Sequence, residues 1–406
     1  MEDFTSYSIL FAVCGLVILS YLFSILNRMT RMPSVLLLLG TGILLRYLSD
    51  LAGFSFEIPK IIIEFLGTIG LIMIVLEAGL DLEITREKIP LIRRSFLSAL
   101  VIFLVSSAVV AGILYWWLPG TPFINCLVYA IPLSIVSSAV VLTSVHHLGR
   151  DKKEFLIYEA SFSDIIGIMV FNFFTAGQQI GTQEIVWFGS SIVVALVLSV
   201  AVCFGLMWLL IRNRVEIKFF LSFAVLIAIY VGGKMIKLPA LITILMFGLV
   251  INNWELIRWR PLKRYFSNEN VDNEALFLKS ITAESSFLIR TFFFVIFGFG
   301  IGLEYFRNLQ VLELGALIVV ALFALRFVYL RVMNKYELLP ELFYIPRGLI
   351  TILLFYKIPE WQRIENFDEG VLFFVILVTS LILMAGAMLY RDRPVEILSV
   401  DEVADV

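Results

Sequence analysis

Runs of about 20 apolar residues recur down the whole chain, and no other feature restricts its fold as much. Lipid offers no partner to a backbone N–H or C=O, so such runs cross a bilayer as helices whose backbone bonds are internal. About thirteen spans are read, near residues 6–27, 33–49, 58–82, 95–118, 122–147, 155–176, 186–211, 218–236, 238–254, 276–303, 309–330, 342–358 and 369–390. Composition agrees. Of 406 residues, 60 % are hydrophobic and 16 % charged, against about 45–50 % and about 25 % in soluble domains. A soluble globule of this length could not cover its surface with so few charges. No basic tract points to nucleic acid. Cys14, Cys126 and Cys203 lie in apolar runs and read as inert core residues, with neither metal spacing nor a disulfide framework. The first run is too long, and its lead Met1-Glu2-Asp3 too acidic, for a cleaved signal. The expected class is an all-α polytopic membrane protein.

The basic residues give the expected orientation. Of 31 Lys and Arg, 20 fall in loops after odd-numbered spans and 7 after even-numbered ones, and Lys279, Arg290, Arg326 and Arg347 remain inside spans. Cytoplasmic loops are rich in Lys and Arg, so the N-terminus is expected outside and the C-terminus in the cytoplasm. Residues 1–393 then form the transmembrane domain and residues 394–406 a short cytoplasmic tail. The connections are short, and no catalytic or nucleotide-binding domain is seen, so the chain does not read as an enzyme and implies no cofactor.

Two halves of the chain echo one another. The third span ends Gly79-Leu80-Asp81-Leu82-Glu83, and the tenth ends Gly300-Ile301-Gly302-Leu303-Glu304. Two spans later each half carries Ile-Pro, at Ile131-Pro132 and at Ile345-Pro346. The third and tenth spans run in opposite directions, so the repeat is inverted, as in secondary transporters whose ion site lies between broken helices. Proline removes a backbone donor and obstructs the preceding turn, which predicts a discontinuity in the fifth and twelfth spans. In the fifth, Ser134, Ser137 and Ser138 follow the proline and offer oxygens to freed carbonyls or to a small hard cation. Helix packing by small hydroxyl residues is the alternative. In the twelfth, Arg347 follows Pro346. It either sets a fixed charge against a helix end or carboxylate, or snorkels to the interface.

The sixth span carries the sharpest signal, Glu159-Ala160-Ser161-Phe162-Ser163-Asp164. An ionisable group inside a membrane helix is a functional candidate by default. At 1.5 Å per residue Asp164 lies about 14 Å from the helix end near Phe155, close to the midplane. Ser161 shares its face. Glu159 points about 140° away and about 7.5 Å lower, toward a different neighbour. The expected partner is Arg290 of the tenth span, in a buried ion pair that leaves Asp164 as the titrating midplane acid. A carboxyl withdrawn from water holds its proton more tightly, yet an arriving cation can displace that proton. Competition for one carboxylate, exposed alternately to each side, is all that exchange requires. Glu77 and Asp81 close the third span as an acidic funnel or as ordinary interfacial charges. His146 and His147 read as solvated residues ending the fifth.

Taken in order, these residues resemble the monovalent cation:proton antiporter superfamily, of the sodium/proton exchanger kind, over about residues 30–390. The sixth-span segment is similar to the family's Glu-Ser-x-x-Asn-Asp signature, its ion-binding aspartate falling on Asp164 and its structural glutamate on Glu159. Arg290 resembles the partner arginine, and Pro346-Arg347-Gly348 looks like the Arg-Gly segment of the second broken helix. Ala160 and Ser163 depart from the signature. Ser163 leaves one carboxylate instead of a pair, which the resemblance translates as electroneutral exchange. Val136-Ser137-Ser138 replaces the exchangers' Thr-Asp-Pro and looks more like the potassium-efflux branch. The resemblance implies two crossed discontinuous helices. It also implies a mobile core (near 58–82, 95–118, 122–147, 155–176, 276–303, 309–330, 342–358 and 369–390) and a scaffold through which a homodimer forms in the plasma (inner) membrane. The function expected is antiport of Na+, ahead of K+, for H+ at Asp164. Ser134, Ser137, Ser138, Ser161 and Ser163 are candidate oxygen donors to the Na+ or K+. Potassium/proton exchange, or carriage of another solute on the same fold, is the alternative.

Overall fold

Within the described residues every apolar run becomes helix, and two runs are interrupted. The computed structural model describes residues 2–30, 32–53, 60–175, 189–191, 193–195, 197–205, 219–235, 240–254, 268–301, 308–333 and 338–390. The helices are α1 (Glu2–Thr30), α2 (Ser34–Leu51), α3 (Lys60–Asp81), α4 (Ile89–Trp117), α5 (Phe123–Ser134), α6 (Ser138–Ser144), α7 (Arg150–Thr175), α8 (Phe219–Met235), α9 (Ala240–Asn252), α10 (Asn268–Gly300), α11 (Leu309–Met333), α12 (Leu349–Tyr356) and α13 (Gly370–Leu389). Helical residues also occur at Gly189–Gly205. Among the described residues, six segments are long and apolar enough to cross a membrane: Ser34–Leu51, Ile89–Trp117, Phe123–Ser144, Ala275–Gly300, Leu309–Met333 and Gly370–Leu389. Part of the expected seventh span and the tail 394–406 lie outside the described residues. Cys14 is exposed on α1, whereas Cys126 and Cys203 are buried.

The helices pack as two groups. One holds α4, α5, α6, α7, α11, α12 and α13; the other holds α1, α2, α3, α8, α9 and α10. They meet chiefly where α12 lies on α3 and α10, and where α13 touches α2. Within the second group α3 packs on α9 and α10, and α10 on α2, and glycines explain why.

Apolar surface alone does not drive helices together in lipid, so close approach at small residues carries much of the packing. At the crossing of α2 and α10, a Cβ on Gly42 would overlap the Val295 carbonyl and the Gly298 backbone, and one on Gly298 would overlap the Leu39 backbone. At the crossing of α3 and α9, a Cβ on Gly79 would overlap the Leu245 carbonyl, and one on Gly248 would lie against the Leu76 carbonyl and the Gly79 backbone. The echo between the third and tenth spans pairs α3 with α10, and by order α2 with α9. The two glycine crossings are therefore counterparts. Asn252 and Asn253 finish the second one, donating to the Leu82 carbonyl at 3.1 and 2.8 Å.

Both interruptions lie in the first group. Pro132 sits in the last turn of α5, which stops two residues later, and Ile135–Ser137 continue as extended chain before α6. In the second interruption, only a 3-10 turn at Glu341–Phe343 precedes the extended residues Tyr344–Gly348 and then α12. The span expected at 342–358 is thus helical chiefly in its second half. The two extended stretches cross, with the Ser137 N–H donating to the Pro346 carbonyl at 2.9 Å.

Candidate ion site at the crossing of the broken helices

Extended chain inside an apolar bundle exposes backbone groups that must find partners. Three side chains supply them here. The Val136 N–H donates to Ser163 Oγ at 3.0 Å, and the Ser138 N–H to Asp164 Oδ2 at 3.1 Å. Arg347, fully buried, donates from Nε to the Leu133 carbonyl at 2.5 Å and from Nη1 to the Ile345 carbonyl at 2.9 Å. It therefore lies against the end of α5, where a cation complements the helix dipole, and does not snorkel to an interface. Its own N–H donates to Thr379 Oγ1 on α13 at 3.1 Å, a contact the sequence did not suggest.

Asp164 is 3 % exposed, and its Oδ1 is buried without a hydrogen-bond partner among the described residues. A buried polar atom left unpaired in this way is costly. A cavity lies in the seam between the two groups, joined to Asp164 through Ser138, whose N–H holds the carboxylate. Ser138 and Ser161 line it from one side, and Glu77, Asp81 and Arg290 from the other. Ser161 Oγ makes no hydrogen bond among the described residues, so both its lone pairs and its proton are available.

The five candidate serines separate by these contacts. Ser138 and Ser161 line the cavity, and Ser138 also holds Asp164 through its backbone N–H. Ser163 is engaged with the backbone of the first break, and Ser134 donates to the Ala130 carbonyl of its own helix at 2.8 Å. Ser137 lies at the crossing itself, its hydroxyl against Gly348, where any Cβ would collide with it.

The expected Glu159–Arg290 pair is not formed. Glu159 instead receives Arg326 of α11 in a two-pronged pair, Nη1 to Oε1 at 2.6 Å and Nη2 to Oε2 at 2.7 Å, with Ser98 Oγ donating to Oε1 as well. Arg326 also donates from Nε to the Glu341 carbonyl at 3.1 Å. This pair ties α4, α7, α11 and the approach to the second break into one unit. Arg290 lies across the seam and donates to Glu77 Oε1 at 3.3 Å, while Ser286 Oγ donates to Oε2 at 2.6 Å. One turn along, Lys279 pairs with Asp81 at 3.0 Å. The reason is packing: α10 lies on α3, so its cations meet the carboxylates of α3.

Below the cavity, Lys88 bridges Glu83 of the loop after α3 at 2.6 Å and Glu154 of α7 at 3.4 Å. The hydrogen bond from Lys88 holds the Glu83 carboxyl below its ordinary range. Among the described residues, no group of three or more His, Cys, Asp or Glu is arranged to hold a metal ion.

The arrangement is a buried carboxylate with one oxygen unpaired among the described residues, held by the Ser138 N–H, next to a cavity lined by Ser138, Ser161, Glu77, Asp81 and Arg290. A search of curated proteins finds no match. Among solved structures, the sodium proton antiporter MjNhaP1 from Methanocaldococcus jannaschii at pH 8 is similar with a TM-score of 0.68 at 18 % identity, covering 96 % of this chain and 99 % of that one. An electron-microscopy structure of the same antiporter gives 0.63 at 18 % identity, covering 96 % and 95 %. At that identity the likeness shows the fold. The profile of the family described as sodium/hydrogen exchanger, transmembrane, matches residues 15–389. With that match over most of its length, this chain belongs to the sodium/hydrogen exchanger family.

Proposed function

We propose that the protein exchanges one monovalent cation for one proton at Asp164, with sodium the physiological cation. The observation that carries this reading is the unpartnered Oδ1 of Asp164, whose other oxygen is held by Ser138 at the wall of the cavity that Ser161 also lines. A bare cation and a proton satisfy the same oxygen, and they cannot do so together. Ser138 and Ser161 supply further hard oxygen ligands, while Ser134, Ser137 and Ser163 hold the break in shape. A single carboxylate that is neutralised by either ion crosses the membrane uncharged in both directions, which makes the exchange electroneutral. The basic-loop count sets the Lys88 end of the bundle in the cytoplasm, so the cavity faces inward. The first packing group, carrying both breaks, then moves against α1–α3 and α8–α10, through which two copies pair in the plasma or inner membrane.

The test is ion-driven proton movement in proteoliposomes, with sodium and potassium offered side by side. Sodium is expected to drive it, with no dependence on an imposed membrane potential. Apparent sodium affinity falls by up to about tenfold per pH unit on the acid side, because proton and cation compete. Asp164→Asn abolishes exchange. Full activity in that variant, or a potassium response exceeding the sodium one, would refute the corresponding part of the reading.

A further inference from the structure

The seam between the two groups holds the cavity with its charged and hydroxyl lining, and elsewhere it is filled by one face of α12. Leu349, Leu353 and Lys357 stand four residues apart, which places them in one row along that helix and its end. Each meets a specific partner on the other group. Leu349 lies over Gly70 of α3, its Cδ2 3.4 Å from a Cβ built there, an ordinary contact beside Ile289 of α10 at 3.1 Å. Leu353 fills the space over Gly67, where a built Cβ would overlap its Cδ2. Lys357 reaches α8, its Nζ 3.1 Å from the Tyr230 hydroxyl and 5.6 Å from that ring's centre.

The row runs antiparallel to α3 in register, the deeper leucine on Gly70 and the outer one on Gly67. Two leucines seated on bare backbone leave no polar group for a water to bridge, and a site without polar partners stays dry.

We infer that the Leu349–Leu353–Lys357 face of α12 is the barrier that closes the site toward the Lys357 end, and that Leu353 must leave the Gly67 notch before the site can open there. The inference rests on the transport reading above and adds to it which contact is made in one state and broken in the other. In the proposed orientation it is the outer barrier, and the Lys357–Tyr230 contact is its polar rim.

The experiment uses the full chain with Cys14, Cys126 and Cys203 replaced by alanine, reconstituted in liposomes, carrying the pair Gly67→Cys and Leu353→Cys. Cross-linking with a thiol-bridging mercuric ion is expected to form readily at rest and to stop sodium/proton exchange, and a reducing thiol to restore it. A cross-linked protein that exchanges at the reduced protein's rate overturns the inference, as does failure of the two positions to cross-link. The second measurement is the single Leu353→Cys variant. A charged thiol reagent added on the Lys357 side should react at least tenfold faster when the ion gradients drive the site toward that side than at rest. Equal rates overturn the inference even where the pair impairs folding. A cysteine-replaced parent that exchanges no cation counts against the transport reading, whereas an active parent with a cross-link that leaves exchange untouched counts against the barrier alone.

Discussion

Glu159 and Asp164 are five residues apart on one helix and have opposite surroundings. Both oxygens of Glu159 are taken by the Arg326 guanidinium and Ser98, whereas Asp164 keeps one oxygen free. The contrast separates a residue that holds the fold from one that can carry an ion. Helical spacing alone was enough to say that the two face different neighbours. It was not enough to name the partner, because four basic residues lay inside spans and depth was a coarse guide. Arg290, about 10 Å inside, roughly matches Glu159 in depth and resembles the family's arginine, and both signals misled. Arg326 lies four residues from the expected end of its span, as Glu159 does from Phe155, so both sit about 6 Å inside. Removing one partner of a buried pair strands the other charge and costs about 3–5 kcal/mol. Arg326→Met should therefore lose much of its folded, monodisperse population on heating in detergent. Arg290→Met should lose far less, since Glu77 keeps Ser286 and borders the cavity, and its defect should appear in transport. Equal thermal losses in the two variants would mean that Glu159 does not depend on Arg326.

At the scale of elements, the Ile-Pro pairs located both breaks, because a missing N–H in an apolar helix has few remedies. What completes the breaks was not legible. The Thr379 contact and the crossing hydrogen bond from Ser137 to Pro346 join residues that are distant in sequence, and no local pattern announces them. The same applies to glycine. Gly79 was visible as part of a repeat, but its partner Gly248 carries no motif of its own, so the grouping of α3 with α9 had to come from packing. A side chain at either crossing pushes two helices apart over their whole contact, since the colliding atoms are backbone and cannot rotate away. Gly298→Val and Gly79→Val are each expected to reduce the yield of folded protein severely. Gly112→Val, at a helical position with nothing within 4 Å of a built Cβ, should leave it near the parent value. Size-exclusion profiles of the three variants, expressed in parallel, provide the comparison, and a normal profile for Gly79→Val would remove the crossing from any structural role.

The whole molecule is two bundles joined by a seam, and the inverted repeat is what makes such a seam serve two sides. The repeat was legible as Gly-Leu-Asp-Leu-Glu and Gly-Ile-Gly-Leu-Glu, and its structural counterpart is the pair of glycine crossings, α2 on α10 and α3 on α9. A bundle built from oppositely directed halves has equivalent packing choices toward either face, so a modest shift exchanges one opening for the other. In the arrangement seen, Ser161 borders the cavity and Leu353 closes the far side. Orientation in the membrane rests on the loops, 20 basic residues against 7, and it has a direct consequence. In the cysteine-replaced background, Ser161→Cys should react with a membrane-impermeant thiol reagent supplied to the cytoplasmic face of inverted vesicles. The same reagent on right-side-out vesicles at rest should react far more slowly. Sodium should slow the cytoplasmic reaction, because a cation seated at Asp164 shares the space the reagent must enter, and raising the proton concentration should relieve that protection by displacing the cation. Faster labelling from the outer face would invert the orientation while leaving the site intact. Labelling indifferent to sodium would separate the cavity from the ion path and leave Asp164 without a route to the cytoplasm.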